Sequence, residues 1–392
     1  MITVEDAKRI MLGQVPRMPA EFRPLELCAG AYATADAFAL DDFPRFDVSA
    51  VDGYAVGDAQ GPWTSVGRIA AGQRLQASLG PGTCARIFTG AAVPEGAVAV
   101  VMQEHVSTDE GRIALEKGPL KDGANIRRRG ESFRQSELLL AKGQRIDPTL
   151  VGILASGGLQ EVMVGLEPQV GIVRTGDEFI DDLQRADGRI HSSNDRMLVA
   201  AVRAAQCFTD DVPYTAPDDR DALRAVLQQA ASENDIVVAT GGVSVGDHDL
   251  MLPVLQEMGA TIHFHGVKQK PGKPMLFANL GRTPVFGLPG NPRAVMVAWH
   301  VYVLPFLRAM QGASAPFPRS ERLPLQVSVK LNGERAEFRA AQVRDGRVQL
   351  LPDEGSHMLI TLAMADALAY FPESTGETGP GADVEVLYLS RL

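Results

Sequence analysis

Asp235-Ile-Val-Val-Ala-Thr-Gly-Gly-Val-Ser-Val-Gly-Asp-His-Asp249 reads as an apolar strand that empties into glycines, and two further Gly/Pro loops follow it, Lys270-Pro-Gly-Lys-Pro274 and Gly287-Leu-Pro-Gly-Asn-Pro292. A strand that stops in glycines lets the backbone turn with positive φ. It also lets N–H groups approach an anion with no Cβ in the way. Hydroxyl, carboxylate and ammonium groups share this short segment, so the expected ligand is a charged, phosphorylated small molecule.

Working outward, strand and helix alternate: strand 169–174, helix 195–205, strand 207–212, helix 219–231, strand 235–239, helix 250–258, strand 261–267 and a long helix 292–310. Elements of this length in alternation predict a doubly wound α/β domain over 168–315, with ligands at the carboxyl ends of its strands. Thr175-Gly-Asp-Glu178 and the Thr240 loop fall at such ends. Upstream, Thr3 is placed to cap an amphipathic helix to Met11, with Asp6 in a capping-box position, and Pro16, Pro19 and Pro24 prevent its continuation. Short β runs separated by Gly/Pro turns predict a small β domain over 43–140, and Pro148–Ala155 recovers a helical pattern. The two helical segments, 1–42 and 141–167, are expected to pack together with the β domain inserted between them. Residues 311–320 read as a linker, and strand-like runs at 327–331, 347–351 and 384–388 predict a C-terminal β barrel or sandwich over 321–392. The fold class expected is therefore α/β plus β, multidomain.

Composition narrows the function classes. The 392 residues are 45% apolar and 22% charged, with a net charge of -10, a field that opposes a general nucleic-acid surface. Cys28, Cys84 and Cys207 form no C-x-x-C pair, so neither a disulfide framework nor a cysteine zinc site is indicated. Residues 1–9 lack a signal-peptide core and no window has the apolar length of a membrane span, so a cytoplasmic protein without a membrane partner is expected.

The motifs leave alternatives open. Gly242-Val-Ser-Val-Gly246 matches the G-x-S-x-G nucleophile elbow, with histidines at 248, 263, 265, 300 and 357 downstream. Against a hydrolase, Ser244 stands five residues beyond the last clear strand position, and Asp247 and Asp249 would put negative charge where an oxyanion must form. Those two aspartates suit Mg2+, or Asp249 is simply the cap of the next helix. Lys270 and Lys273, stiffened by prolines, can face one tetrahedral dianion or stand as solvated lysines on a turn. Pro292 at the first position of a helix leaves N–H groups for a second anion cradle. His263 and His265 alternate along a strand and so face one side, yet no third metal ligand is near. Arg127–Arg129 with Arg134 reads as a solvated or interface patch. No G-x-x-x-x-G-K-[ST] loop occurs.

Asp47-Val-Ser-Ala-Val-Asp-Gly-Tyr-Ala-Val56, Phe88-Thr-Gly-Ala-Ala-Val-Pro94, Arg174-Thr-Gly-Asp-Glu178, Ser192-Ser-Asn194, Thr240–Gly246, Lys270–Pro274 and Gly287–Pro292, in this order, closely resemble the molybdopterin molybdenumtransferases, relatives of the gephyrin E domain. Seven motifs in series are specific where one is not. The resemblance implies an enzyme that takes adenylylated molybdopterin and molybdate, hydrolyses the adenylate with Mg2+ and releases molybdenum cofactor. It implies an elongated homodimer in which Asp52 and Thr89 complete the partner's cleft. It also implies substrate contacts at Ser193, Asn194, Gly241, Gly242, Ser244, Pro289 and Pro292, molybdate at Lys270 and Lys273, and catalysis and metal binding at Asp249 with Glu178 and Asp218. A molybdopterin adenylyltransferase upstream and molybdoenzyme apoproteins or chaperones downstream are the implied partners.

The chain departs from the family pattern at Val48, Ser132, Arg293, Ala294 and Asp366, and Arg339 is followed by Ala340 where the family carries its arginine. Two alternatives accompany the insertase: a molybdopterin-binding or scaffolding paralogue, as gephyrin illustrates, and a serine hydrolase using Ser244.

Overall fold

The runs Val170–Thr175, Ile236–Thr240 and Thr283–Leu288 are apolar on both faces apart from Arg174 and their threonines, so both faces of each need cover, and the chain supplies it. A computed structural model describes residues 1–116, 118, 120–180, 188–243, 250–331, 333–352, 355 and 358–389. These three strands form the middle of a six-stranded sheet ordered Tyr214–Ala216, Val170–Thr175, Ile236–Thr240, Thr283–Leu288, Leu276–Leu280, Thr261–His265. Helix Asn194–Ala204 and the segment 292–310 cover one face, and helices Arg220–Glu233 and Met251–Glu257 the other.

The sheet differs from an all-parallel reading. Its first four strands are parallel, but Leu276–Leu280 runs antiparallel to both its neighbours. It pairs with Thr283–Leu288 across Gly281, whose φ of 61° makes the tight reversal. The Gly/Pro loops Lys270–Pro274 and Gly287–Pro292 on either side hide this hairpin from a reading by period. The strand expected at 207–212 shrinks to a single bridge, Gln169 to Phe208, and pairing resumes at Tyr214. The long helix 292–310 is continuous but passes through a π turn at Trp299–Val303 between Pro292–Ala298 and Leu304–Met310.

Thr3 caps helix Val4–Leu12, accepting the Asp6 N–H at 3.1 Å. Segments 1–42 and 141–167 do pack together, through the pairing of Ala20–Pro24 with Glu161–Gly165, but the expectation that helix Val4–Leu12 joins the one at Pro148–Ser156 is corrected. Val4, Ala7 and Met11 are fully buried in the α/β core with Trp299 and Tyr302, whereas Leu154 packs with Leu25, Cys28 and Val164 in a separate cluster. Burying side chains of the size of Val4 and Met11 is worth about 1.5–3 kcal/mol each, enough to dictate where a nine-residue helix docks.

The small β region is a mixed six-stranded sheet between Gly53 and Leu115. The C-terminal strands Ala336–Arg344, Ala367–Phe371, Asp383–Tyr388 and Ser320–Pro324 form a second curled sheet, with Arg347–Leu350 on the near edge of the first. A single bridge from Leu325 to Val348 joins its outer strands around an interior of Val348, Phe371 and Val386. Gln269–Lys270 also pairs with Ala336–Glu337, which brings the Lys270 loop to this sheet. Among the described residues no helix is long and apolar enough to cross a membrane.

Candidate active site

Four parallel strands end side by side, and the hydrogen bonds beyond those ends tie three of them together. Asn194 Nδ2 donates to Thr240 Oγ1 at 3.0 Å and to the Gly290 carbonyl at 2.7 Å. Thr240 Oγ1 donates to the Pro289 carbonyl, and Thr175 Oγ1 to the Thr240 carbonyl, each at 3.3 Å. Gly241 follows with φ of 93°, and a Cβ there would lie 2.6 Å from Thr175 Oγ1, so only glycine fits this approach. Asn194, Gly241, Gly242 and Pro289 are thus brought together. Ser193 stands at the start of its helix without a side-chain cap bond. The Asn194 Oδ1 and Ser192 Oγ atoms are buried with no hydrogen-bond partner among the described residues, polar groups that a ligand could satisfy.

Beyond Pro289 the floor opens into a cavity of about 550 Å3, lined by Lys270, Lys273, Pro289, Arg293, Glu337 and Arg339 among others. Pro292 lies between the lining residues Asn291 and Arg293. Glu337 is almost wholly buried and is held by Arg339, whose Nη2 lies 2.7 Å from it, with Lys270 Nζ at 3.9 Å. Among the described residues the lining carries the basic side chains of the exposed Lys273, half-exposed Lys270, Arg293, Arg335 and Arg339 against the one carboxylate of Glu337. A lining of that composition suits an oxyanion.

Sequence reasoning missed Glu337, Gln269 and Tyr302. The Tyr302 hydroxyl donates to Gln269 Oε1, and Gln269 Nε2 donates to the Pro271 carbonyl at 2.9 Å, so a fully buried pair braces the lysine loop from below. No spacing signals a partnership across 33 residues.

Glu178 and Asp218 are exposed carboxylates following two neighbouring strands, Val170–Thr175 and Tyr214–Ala216. They are oxygen donors of the kind Mg2+ takes, and two are enough for an ion that completes its shell with water and phosphate oxygens. Among the described residues no group of three or more such side chains forms a metal site. Ser244, Asp247 and Asp249 lie outside the described residues.

Asp52 and Thr89 meet on the small β region, where Asp52 accepts both the Thr89 N–H and hydroxyl at 2.8 Å. Those bonds hold the Asp52 carboxyl below its ordinary range. Both residues are exposed, and neither lines the Lys270 cavity.

The expectation that His263 and His265 share a side is corrected. A register shift between Ile262 and Phe264 places His263 in a bulge, stacked on Phe277 with centroids 5.2 Å apart, while His265 Nε2 pairs with the Val243 carbonyl at 3.0 Å. Among the described residues no histidine is hydrogen-bonded to a carboxylate, the arrangement a serine triad needs. Arg128 and Arg129 are spent on Asp47 and Asp42.

The departures from the family pattern scatter. Arg293 and Ala294 line the cavity, and Ala340 is buried on the face of its strand opposite Arg339. Asp366 accepts the Val343 N–H and Arg344 at 3.2 Å, anchoring a distant strand. Val48 pairs with Arg127, and the Ser132 N–H donates to Phe43.

Comparison with known proteins places this geometry in a family. Residues 2–158 match the MoeA N-terminal region (domain I and II), residues 171–309 a probable molybdopterin binding domain, and residues 322–389 the MoeA C-terminal region (domain IV). The molybdopterin molybdenumtransferase of Nostoc sp. is 32% identical, over 99% of this chain and 94% of its own length. That of Haemophilus influenzae is 31% identical over 100% of both. A crystal structure of the molybdopterin biosynthesis MoeA protein of Pyrococcus horikoshii superposes with a TM-score of 0.84 at 27% identity, covering 99% of this chain and 100% of the other.

Proposed function

The chain belongs to the molybdopterin molybdenumtransferase family, enzymes of molybdenum cofactor biosynthesis, and on that premise we propose that it inserts molybdenum into adenylylated molybdopterin, hydrolysing the adenylate with Mg2+ and releasing molybdenum cofactor and AMP. The observation that carries this reading is the convergence of Lys270, Lys273, Arg293 and Arg339 on one cavity beside the Pro289 loop.

In this reading Lys270 and Lys273 hold the molybdate dianion by charge-assisted hydrogen bonds, and Glu337 keeps Arg339 and Lys270 in place. The turn at Gly241 and Gly242, whose first N–H is held by the Leu288 carbonyl at 3.2 Å and whose floor is fixed by the Asn194 clamp, receives the anionic end of the pterin substrate together with Ser193, Ser244 and Pro292. Holding both substrates in one cleft turns dithiolene ligation into a local event at high effective concentration. Asp249, Glu178 and Asp218 are the residues that would hold Mg2+, which when bound polarises a phosphate and acidifies a water. Asp52 and Thr89, exposed and not among the residues lining the cavity, are assigned to the partner's cleft in a homodimer.

The test is AMP release from adenylylated molybdopterin with molybdate and Mg2+. Tight pterin binding without AMP would favour the binding or scaffolding paralogue. Labelling of Ser244 by a fluorophosphonate would favour the hydrolase.

A further inference from the structure

A second cavity, of about 580 Å3, lies where the N-terminal segment, helix Asn194–Ala204 and the broken helix of 292–310 meet. It shares no lining residue with the Lys270 cavity, and its volume falls in the range of small-molecule sites, about 300–1,000 Å3.

One wall is the face Met197, Ala200, Ala201 and Ala204, spaced i, i+3, i+4, i+7, where three methyl-sized side chains leave the space open. The facing wall carries Trp299 and His300, consecutive residues of the π turn, a distortion that recurs at functional sites. Two guanidiniums enter from different segments. Arg145 is exposed, and its Nε donates to the Gly30 carbonyl at 3.3 Å. Arg308 is half-buried and donates to the Pro316 carbonyl at 3.3 Å. Burial holds Arg308 below its ordinary value and the charge of Arg145 adds to the effect, while both arginines act on the phenol of Tyr32. Tyr32 and Arg145 are antiparallel bridge partners, and both line the same cavity as Arg308. Among the described residues none that lines the cavity is acidic. Like charges gathered against a low-dielectric wall attract a counter-charge more strongly than the same groups in open water.

We propose that this cavity binds a small organic anion, with a carboxylate or phosphate seated between Arg145 and Arg308, the Tyr32 hydroxyl donating to it, and a flat apolar body against Trp299 and the alanine face. The site is independent of the insertase reading, since none of its residues has a role there.

The test is calorimetric titration of the full chain with 3-phenylpropanoate and with phenyl phosphate, against the neutral 3-phenylpropanamide and inorganic phosphate. Saturable binding of at least one anion is expected, and the tighter of the two identifies the head group. Arg145→Gln and Ala200→Trp, both at exposed positions, each weaken it about tenfold or more, and the amide binds more weakly by a similar factor. The proposal is overturned by no saturable binding of either anion, or by unchanged affinity in both variants. Equal affinity for inorganic phosphate (an adventitious ion only) overturns it too. So does a change of oligomeric state on Ala200→Trp in sedimentation, which would make the cavity a face covered by a second copy of the chain.

Discussion

At the scale of single residues, the lysines and one histidine carry the sharpest expectations. Lys270 and Lys273 are exposed enough to be removed without unfolding the chain, and charged hydrogen bonds are worth about 1.5–3 kcal/mol each. The Lys270→Ala, Lys273→Ala double variant should therefore bind molybdate about a hundredfold or more weakly by equilibrium dialysis, with an unchanged thermal midpoint. Wild-type affinity would remove the lysines from the molybdate role. His300 is a different case: burial, helped by Arg308, pushes it down to about 4 from 6.5. Because the folded value lies below the unfolded one, the neutral ring's contribution is complete above 6.5 and is lost as pH falls through 4. The loss by pH 5 amounts to about 2 kcal/mol. In urea unfolding, His300→Asn should flatten the decline in stability between pH 7.5 and 5; parallel profiles for the two proteins would contradict the assignment. Lysine chemistry was legible from Lys270-Pro-Gly-Lys273 alone. The burial of His300 was not, because it depends on which residues a helix meets.

At the scale of elements, the Tyr302–Gln269–Pro271 chain shows how a helix supports a loop. Removing only the hydroxyl leaves Gln269 Oε1 buried without its donor, a loss of about 1–3 kcal/mol that falls on the lysine loop. Tyr302→Phe should raise KM for molybdate severalfold while leaving kcat and the KM for the pterin substrate nearly unchanged. A uniform loss in all three would mark Tyr302 as a packing residue. Strand and helix types through the α/β segment were legible because Val170–Thr175, Ile236–Thr240 and Arg220–Glu233 have the right periods and caps. The hairpin Leu276–Leu280/Thr283–Leu288 was equally apolar, yet its Gly/Pro flanks disguised it. The π turn had no signal at all in the pattern 292–310.

At the scale of the whole molecule, the proposed cleft draws on both copies of the chain, and this has a test that no single variant provides. An Asp52→Ala, Thr89→Ala chain and a Lys270→Ala, Lys273→Ala chain should each be inactive as homodimers. Mixing and reassociating them should restore about a quarter to a half of wild-type AMP release, since half of the clefts in mixed dimers are intact. No recovery, in preparations shown to contain mixed dimers, would place the whole cleft within one chain. By itself the sequence determined the local chemistry: glycines where backbone must approach an anion, paired lysines on a stiff loop, apolar strands that demand cover on both faces. Those properties depend on neighbours a few residues away. Tertiary structure alone decided that Gln269–Lys270 joins Ala336–Glu337, that Glu337 and Arg339 form one wall of the lysine cavity, and that Val4–Leu12 docks on Trp299 and Tyr302. Pairings across such separations are selected by which apolar faces and buried charges are left to satisfy once the local elements exist, and that choice has no local signature in the chain.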